Sequence, residues 1–184
     1  MTVLVLLGSP HKNGYTAQLL EQCLSALPSS VHVDVINAFE AGIKPCTDCG
    51  YCKSKSGCKF NDFDEIDRLL RAADALIIAS PIYNLSFPAP LKAVFDRTQQ
   101  YYNARFSRGI KPVIQKPKKA AMLLTCGSNE EGEAELIRSQ LKMMFTIMNT
   151  TLTAEAIWRG TDSDRERFKA QTFAQARMAA KLIM

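Results

Sequence analysis

The sequence has no apolar run near the ~20 residues that a membrane-spanning helix needs. Its purely apolar runs are strand-sized, which excludes a helical membrane protein. The opening, Met1 to Gly8, lacks a basic region and a cleavage signal, so a cytoplasmic location is expected. Gly-Lys-Ser/Thr and Gly-x-Gly-x-x-Gly are both missing, which disfavours a Walker phosphate loop and a Rossmann dinucleotide site. There is no internal repeat and no low-complexity segment. What is present is 184 residues, 47% hydrophobic and 22% charged, the balance of one soluble domain spanning residues 1–184.

Charge and cysteine are unevenly spread. Six of the 23 Lys and Arg (Arg105, Arg108, Lys111, Lys116, Lys118, Lys119) lie in segment 104–119, which has no acid. Setting them aside leaves 17 basic against 18 acidic residues, so the net charge of +5 is a local property. That segment reads as a solvated, mobile loop, or as a site for the 2′-phosphate of NADPH or for an acidic electron-transfer protein. With Phe106 as its one aromatic and no reading motif, nucleic acid is not an expected partner. Four of the six cysteines fall within 13 positions, inside a cysteine-rich insert at 44–60.

Strand-length apolar runs alternate with helical stripes. Val3–Leu7, Ala75–Ala79 and Ala120–Thr125 are apolar throughout, whereas Val31–Val35 and Thr150–Trp158 alternate. Helical faces are expected over Leu19–Leu27, Phe63–Ala73, Ala89–Tyr101, a Met-rich stretch to Met148, and the C-terminus. Asp62 with Glu65, Ser128 with Glu131, and Ser163 with Glu166 stand three apart, as capping pairs do. The succession is β-α repeated five times, which implies an α/β fold with a parallel sheet and helices on both faces. Fully apolar strands belong in the middle and alternating ones at the edges. Edges at the second and fifth strands give the order 2-1-3-4-5, the flavodoxin-like doubly wound arrangement.

Ligands of such sheets bind beyond the carboxyl ends of the strands where strand order reverses. Three loops lie there. Gly8-Ser9-Pro10-His11-Lys12-Asn13-Gly14-Tyr15-Thr16 leads into a helix N-terminus, where free N–H groups and the helix dipole favour a phosphate; a capped turn is the other reading. Ser80-Pro81-Ile82-Tyr83-Asn84 sets backbone amides and an aromatic where a flat ring could lie, or is an ordinary turn with a core Tyr. Cys126-Gly127-Ser128-Asn129 is small and polar, suited to the other edge of such a ring.

The cysteine run is Cys46-x2-Cys49-x2-Cys52-x5-Cys58. Three thiolates at three-residue spacing plus one more can close around a cubane, as compact ferredoxin runs do. Structural zinc favours two Cys pairs set farther apart, and partly buried free thiols are a third reading. Lys44, Lys53, Lys55 and Lys59 surround the run and would offset thiolate charge. Cys23, on an apolar helix stripe, reads as core.

Gly8-Ser9-Pro10-x2-Asn13-Gly14-x-Thr16 and Pro81-x-Tyr83-Asn84-x3-Pro88-x2-Leu91-Lys92-x3-Asp96 resemble the two FMN-binding loops of the flavodoxin-fold NAD(P)H-dependent FMN oxidoreductases. With the cysteine run, the chain resembles their iron–sulfur flavoprotein branch, over nearly its whole length. The resemblance implies non-covalent FMN, its phosphate on Ser9, Asn13, Tyr15 and Thr16 with His11 nearby. The isoalloxazine would lie against Pro81, Ile82, Tyr83 and Asn84 and against Cys126 and Gly127. It implies a [4Fe–4S] site at Cys46, Cys49, Cys52 and Cys58. Two positions depart from the family: His11 stands where Arg is frequent and Tyr15 where Asn is frequent.

The function the resemblance implies is an FMN-dependent oxidoreductase. It would take electrons from NAD(P)H, or from ferredoxin if a cluster is bound, and pass them to a quinone, free flavin or nitro compound. No catalytic acid stands out. A homodimer or homotetramer is the expected assembly in such a family. A flavodoxin-like electron carrier is the rival, disfavoured by the basic charge, and a cysteine-based redox sensor without turnover is another.

Overall fold

The computed structural model describes residues 1–130 and 132–184. Five strands form one parallel sheet in the order β2-β1-β3-β4-β5: β1 (Thr2–Leu7), β2 (His32–Asn37), β3 (Ala75–Pro81), β4 (Lys118–Thr125) and β5 (Thr150–Trp158). The register aligns Leu7 with Ala79 and Pro81 with Thr125, so the strands bearing the three loops end side by side. The expected order therefore stands, and with it the central placement of β1, β3 and β4.

Side chains alternate across each strand and so feed two cores. Val3, Val5, Ile77 and Leu123 pack beneath α1 (Tyr15–Leu24) and α7 (Arg165–Leu182). Leu4, Leu6, Ile78 and Met122 pack on the other face beneath α3 (Asp64–Ala72), α4 (Ala89–Arg97), α5 (Gln99–Phe106) and α6 (Gly132–Ile147). The predicted stripes point inward, with Leu19, Leu20 and Cys23 of α1 and Ile66, Leu69 and Leu70 of α3 all buried. A short α2 (Tyr51–Ser54) lies within the cysteine segment and packs against α5. No helix among the described residues is long and apolar enough to cross a membrane.

Several local expectations are corrected. The single helix expected over Ala89–Tyr101 is two, meeting at Thr98, whose hydroxyl donates to the Phe95 carbonyl at 2.7 Å and competes with the helical ladder. Asp62 and Glu65 do not cap α3: Asp62 is drawn to Arg97 and Glu65 to Arg68. Ser163 and Glu166 do not cap α7, where Asp164 holds the cap position and Glu166 pairs with Lys169. In the third pair Glu131 lies outside the described residues, and the Ser128 hydroxyl donates to Glu133 at 2.8 Å.

The basic segment is not one loop. It begins on α5 and ends as the first residues of β4. Lys116 pairs with Asp74 at 2.5 Å and donates to the Ala72 carbonyl, while Lys118 is buried. Burial, aided by Lys116 and Arg71, pulls the Lys118 ammonium down to about 8. At roughly 3.3 Å per residue, β4 sets Lys118 about 23 Å from Thr125. Lys116, Lys118 and Lys119 thus sit at the end of the sheet opposite the loops, out of reach of a nucleotide held there.

Candidate functional site

The first loop leaves β1 at Gly8, whose N–H donates to the Ala79 carbonyl at 2.8 Å. A Cβ at position 8 would stand 2.6 Å from Leu91 Cδ2 and 2.7 Å from Ser80 Oγ, so only glycine lets β1 pass this close to the second loop. Ser9 is buried and its hydroxyl accepts from the His11 N–H at 3.3 Å. The loop turns at Gly14, whose N–H bonds to the His11 carbonyl, and enters α1 with no side-chain cap. The first-turn N–H groups of Tyr15, Thr16 and Ala17 therefore face the loop without an intrahelical acceptor, at the positive end of the helix dipole. No acidic side chain sits in that turn to neutralise it.

Thr16 ties this loop to β4: its Oγ1 lies 2.8 Å from Thr125 Oγ1, and both residues are buried. Tyr15 turns the other way. Its ring stacks edge-on with Trp158 at 5.2 Å, and its hydroxyl accepts from Arg165 at 3.2 Å. Arg165 thereby becomes a cation beside a loop in which His11 replaces the family's frequent Arg. His11 and Asn13 are on the exposed side of the loop.

The second loop continues from β3. Ile82 N–H donates to the Thr125 carbonyl at 2.8 Å, and Tyr83 and Ser86 exchange backbone hydrogen bonds at 2.9 and 3.0 Å. Asn84 (φ 50°) and Leu85 (φ 61°) form the tip of this tight turn, both left-handed and neither glycine. A left-handed leucine costs on the order of 1 kcal/mol, strain of the kind that gathers at ligand clamps. Tyr83 and Leu85 are about half exposed at this tip.

The third loop follows β4. Cys126 is buried, and burial, then Glu133 and Asp162, push its thiol up to about 11, so it is an inert wall. At Gly127 a Cβ would meet the Asp162 carboxylate at 2.1 Å. Thr161 N–H and hydroxyl both bond the Cys126 carbonyl at 3.1 Å, which draws the segment after β5 against this loop. The three loops thus lie side by side at the carboxyl ends of β1, β3 and β4.

Cys46, Cys49, Cys52 and Cys58 line a single second cavity, with Phe60, Arg97 and Gln100. Cys46 and Cys49 are exposed, Cys52 and Cys58 half-buried, and all six cysteines of the chain are free thiols. Arg97, the last residue of α4, is 1% exposed at its side chain. It donates to Lys44 O at 2.9 Å and Phe60 O at 3.0 Å, the two ends of the cysteine segment. It also donates to both Asp62 oxygens and to Cys58 Sγ at 3.3 Å. The Arg97 guanidinium holds the Asp62 carboxyl below the usual carboxylate range. Asn103 Nδ2 donates to Cys52 Sγ at 3.1 Å. Among the described residues, no three His, Cys, Asp or Glu side chains converge on a point that would hold one ion.

The sequence model of the family described as NADPH-dependent FMN reductase matches residues 1–162. The chain belongs to this family. Among curated relatives it is 37% identical over 103 residues to an iron-sulfur flavoprotein of Archaeoglobus fulgidus, an alignment covering 55% of this chain and 47% of that protein. Thus the chain matches about half the length of that relative. It is 31% identical over 141 residues to the iron-sulfur flavoprotein of Methanosarcina thermophila, covering 76% of this chain and 70% of that one. Among solved structures, an NAD(P)H:quinone oxidoreductase from Methanothermobacter marburgensis superposes with a TM-score of 0.78 at 20% identity, over 98% of this chain and 94% of that one. An FMN-dependent NADH-azoreductase from Bacillus anthracis, solved in complex with FMN, gives 0.72 at 13% identity, over 98% of each chain. At these identities the structures show the shared flavodoxin-like fold.

Membership in the FMN reductase family gives the three loops their context, and the structure adds residues that the sequence did not single out. Arg97 and Asn103 approach the cysteine sulfurs, Leu85 shapes the strained tip and Asp162 backs Gly127. None has a local signature. Arg97 reads as an ordinary basic residue at a helix end, and its partners lie 35 to 53 positions away.

Proposed function

We propose that the chain is an FMN-dependent oxidoreductase, that FMN binds the loops at the ends of β1, β3 and β4, and that NAD(P)H is its reductant. The carrying observation is the uncapped N-terminus of α1 behind a loop tied to the other two. Gly8 and Gly127 let Leu91, Ser80 and Asp162 pack close against the loop backbone, and the free N–H groups at the start of α1 fit a phosphate. Bound FMN supplies a hydride acceptor at N5 and can release electrons singly or in pairs. In this reading the N–H groups of Tyr15, Thr16 and Ala17 and the Ser9 hydroxyl hold the phosphate. Pro81 to Asn84 orient the ring, Cys126 and Gly127 bound its other edge, and the Tyr83–Leu85 tip limits access from solvent. Quinones, free flavin and nitro compounds are the acceptor class, since each takes electrons from an exposed flavin without a protein acid.

The four-cysteine cavity supports a [4Fe–4S] cluster as second cofactor. Four thiols lining one cavity supply the ligand number of a polynuclear group, and their compact spacing suits it better than structural zinc, which favours two separated Cys pairs. The names of the curated relatives point the same way. Such a cluster supplies one-electron transfer, which favours a one-electron donor such as ferredoxin beside NAD(P)H.

The test is the visible spectrum of protein purified without air. A flavin spectrum that bleaches on addition of NADPH supports the reductase, and colourless protein that takes up no added FMN overturns it. Iron and acid-labile sulfide near four per chain support the cluster; their absence after anaerobic reconstitution overturns that part alone.

A further inference from the structure

We infer that Asn103, backed by the Ser107 hydroxyl, and Arg97 are positioning residues for the sulfur-bound group, and that they raise its reduction potential. The inference rests on the cluster reading above and goes beyond it, to groups that are not ligands.

The cysteine cavity is asymmetric. Cys46 and Cys49 face solvent, while Cys52 and Cys58 face the junction of α4 and α5. Two donors reach those inner sulfurs, Asn103 Nδ2 to Cys52 at 3.1 Å and Arg97 Nη2 to Cys58 at 3.3 Å. Both donor residues are buried, and the break at Thr98 separates the helix that carries one from the helix that carries the other. Arg97 can only donate. Asn103 has an amide that could turn either way, and the sulfur decides it, with the Ser107 hydroxyl standing 3.3 Å from Asn103 Oδ1 on the other side. A metal-bound cysteine is a thiolate and can only accept. With that sulfur on one side, Nδ2 must face Cys52, and the Ser107 hydroxyl must donate to Oδ1. The relay runs in one direction, Ser107 to Asn103 to Cys52.

Reduction adds negative charge that spreads onto the ligand sulfurs. Donors aimed at those sulfurs stabilise the reduced state more than the oxidised one, so they raise the potential. Buried donors act without competition from water. Asn103 and Arg97 thus favour electron arrival at this site.

The experiment is a potentiometric titration of the anaerobically reconstituted protein, followed by the EPR signal of the reduced cluster. It compares the parent chain with Asn103→Leu and Ser107→Ala. Asn103→Leu removes the donor at nearly constant volume, and Ser107→Ala leaves the amide facing the sulfur but removes the hydroxyl that donates to its Oδ1. The expected result is a full complement of iron and sulfide with the midpoint moved to more negative values, more so in Asn103→Leu. The FMN midpoint, read optically in the same titration, should stay in place. An iron-loaded Asn103→Leu with the parent's midpoint overturns the inference and leaves the cluster reading intact. A parent chain without iron overturns the cluster reading and this inference with it. If Asn103→Leu does not assemble, Ser107→Ala decides: a lowered midpoint supports the relay and an unchanged one overturns it.

Discussion

The guanidinium of Arg97 grips the carboxylate of Asp62 through two hydrogen bonds, 2.7 Å from Nη2 and 3.1 Å from Nη1. The same guanidinium holds Lys44 O and Phe60 O, so this pair closes the cysteine segment at its base. Breaking a buried pair leaves an uncompensated charge. Arg97→Lys keeps the charge but loses the planar fork, and should cost about 2–4 kcal/mol in denaturant unfolding. Proteolytic cleavage within residues 44–60 should rise at the same time. The sign of the pH effect follows from the lowered Asp62 pKa. The unfolded carboxylate takes up its proton first, so this contribution is complete above about pH 4 and drains away as pH falls further. Asp62→Asn should remove that part of the acid-side loss.

Lys118 predicts a slope of the same sign at high pH. Its ammonium is pulled down to about 8 in the fold. Between that value and the unfolded value near 10.4 the unfolded chain binds more protons, so stability should rise with pH across this window. Lys118→Met keeps the buried stem and removes the charge. It should flatten the rise in Tm between pH 8 and 10 and gain on the order of 2 kcal/mol at pH 7. A Tm series over pH checks both.

Gly8 couples the first loop to the second. In Gly8→Ala the new methyl meets Leu91 and Ser80, both buried, at under 3 Å. Overpacking of this kind costs about 1–3 kcal/mol. Because the strain falls between the two loops proposed to hold FMN, FMN affinity should fall at least ~10-fold. Fluorescence titration of the apoprotein with FMN measures it, with circular dichroism as the control for folding.

Thiol labelling should sort the cysteines by environment. Burial pushes Cys23 up to about 12 and Cys126 up to about 11. In iron-free protein at pH 8, iodoacetamide should modify the exposed Cys46 and Cys49 first and leave Cys23 and Cys126 unmodified until denaturant is added. Peptide mass spectrometry reads the order.

Much of this architecture is legible in the sequence because it follows from local patterns. Unbroken apolar runs mark β1, β3 and β4 as central, alternation marks β2 and β5 as edges, and the loop motifs follow their strands directly. Spacing also gathers four cysteines into one segment. Side-chain partnership across the fold is different. Asp62 looks like a helix cap three before Glu65, yet Arg97, 35 residues on, takes its carboxylate. Tyr15 looks like part of the loop, yet its ring goes to Trp158 and its hydroxyl to Arg165. The basic segment looks like one patch until β4 carries its last lysines to the far end of the sheet. Local periodicity dictates which residues are strand, helix or core, because burial alternates with the period of the backbone. It is silent on which polar groups meet, since that depends on how distant segments pack. Only the tertiary structure decided that Cys52 and Cys58 face donors while Cys46 and Cys49 face water.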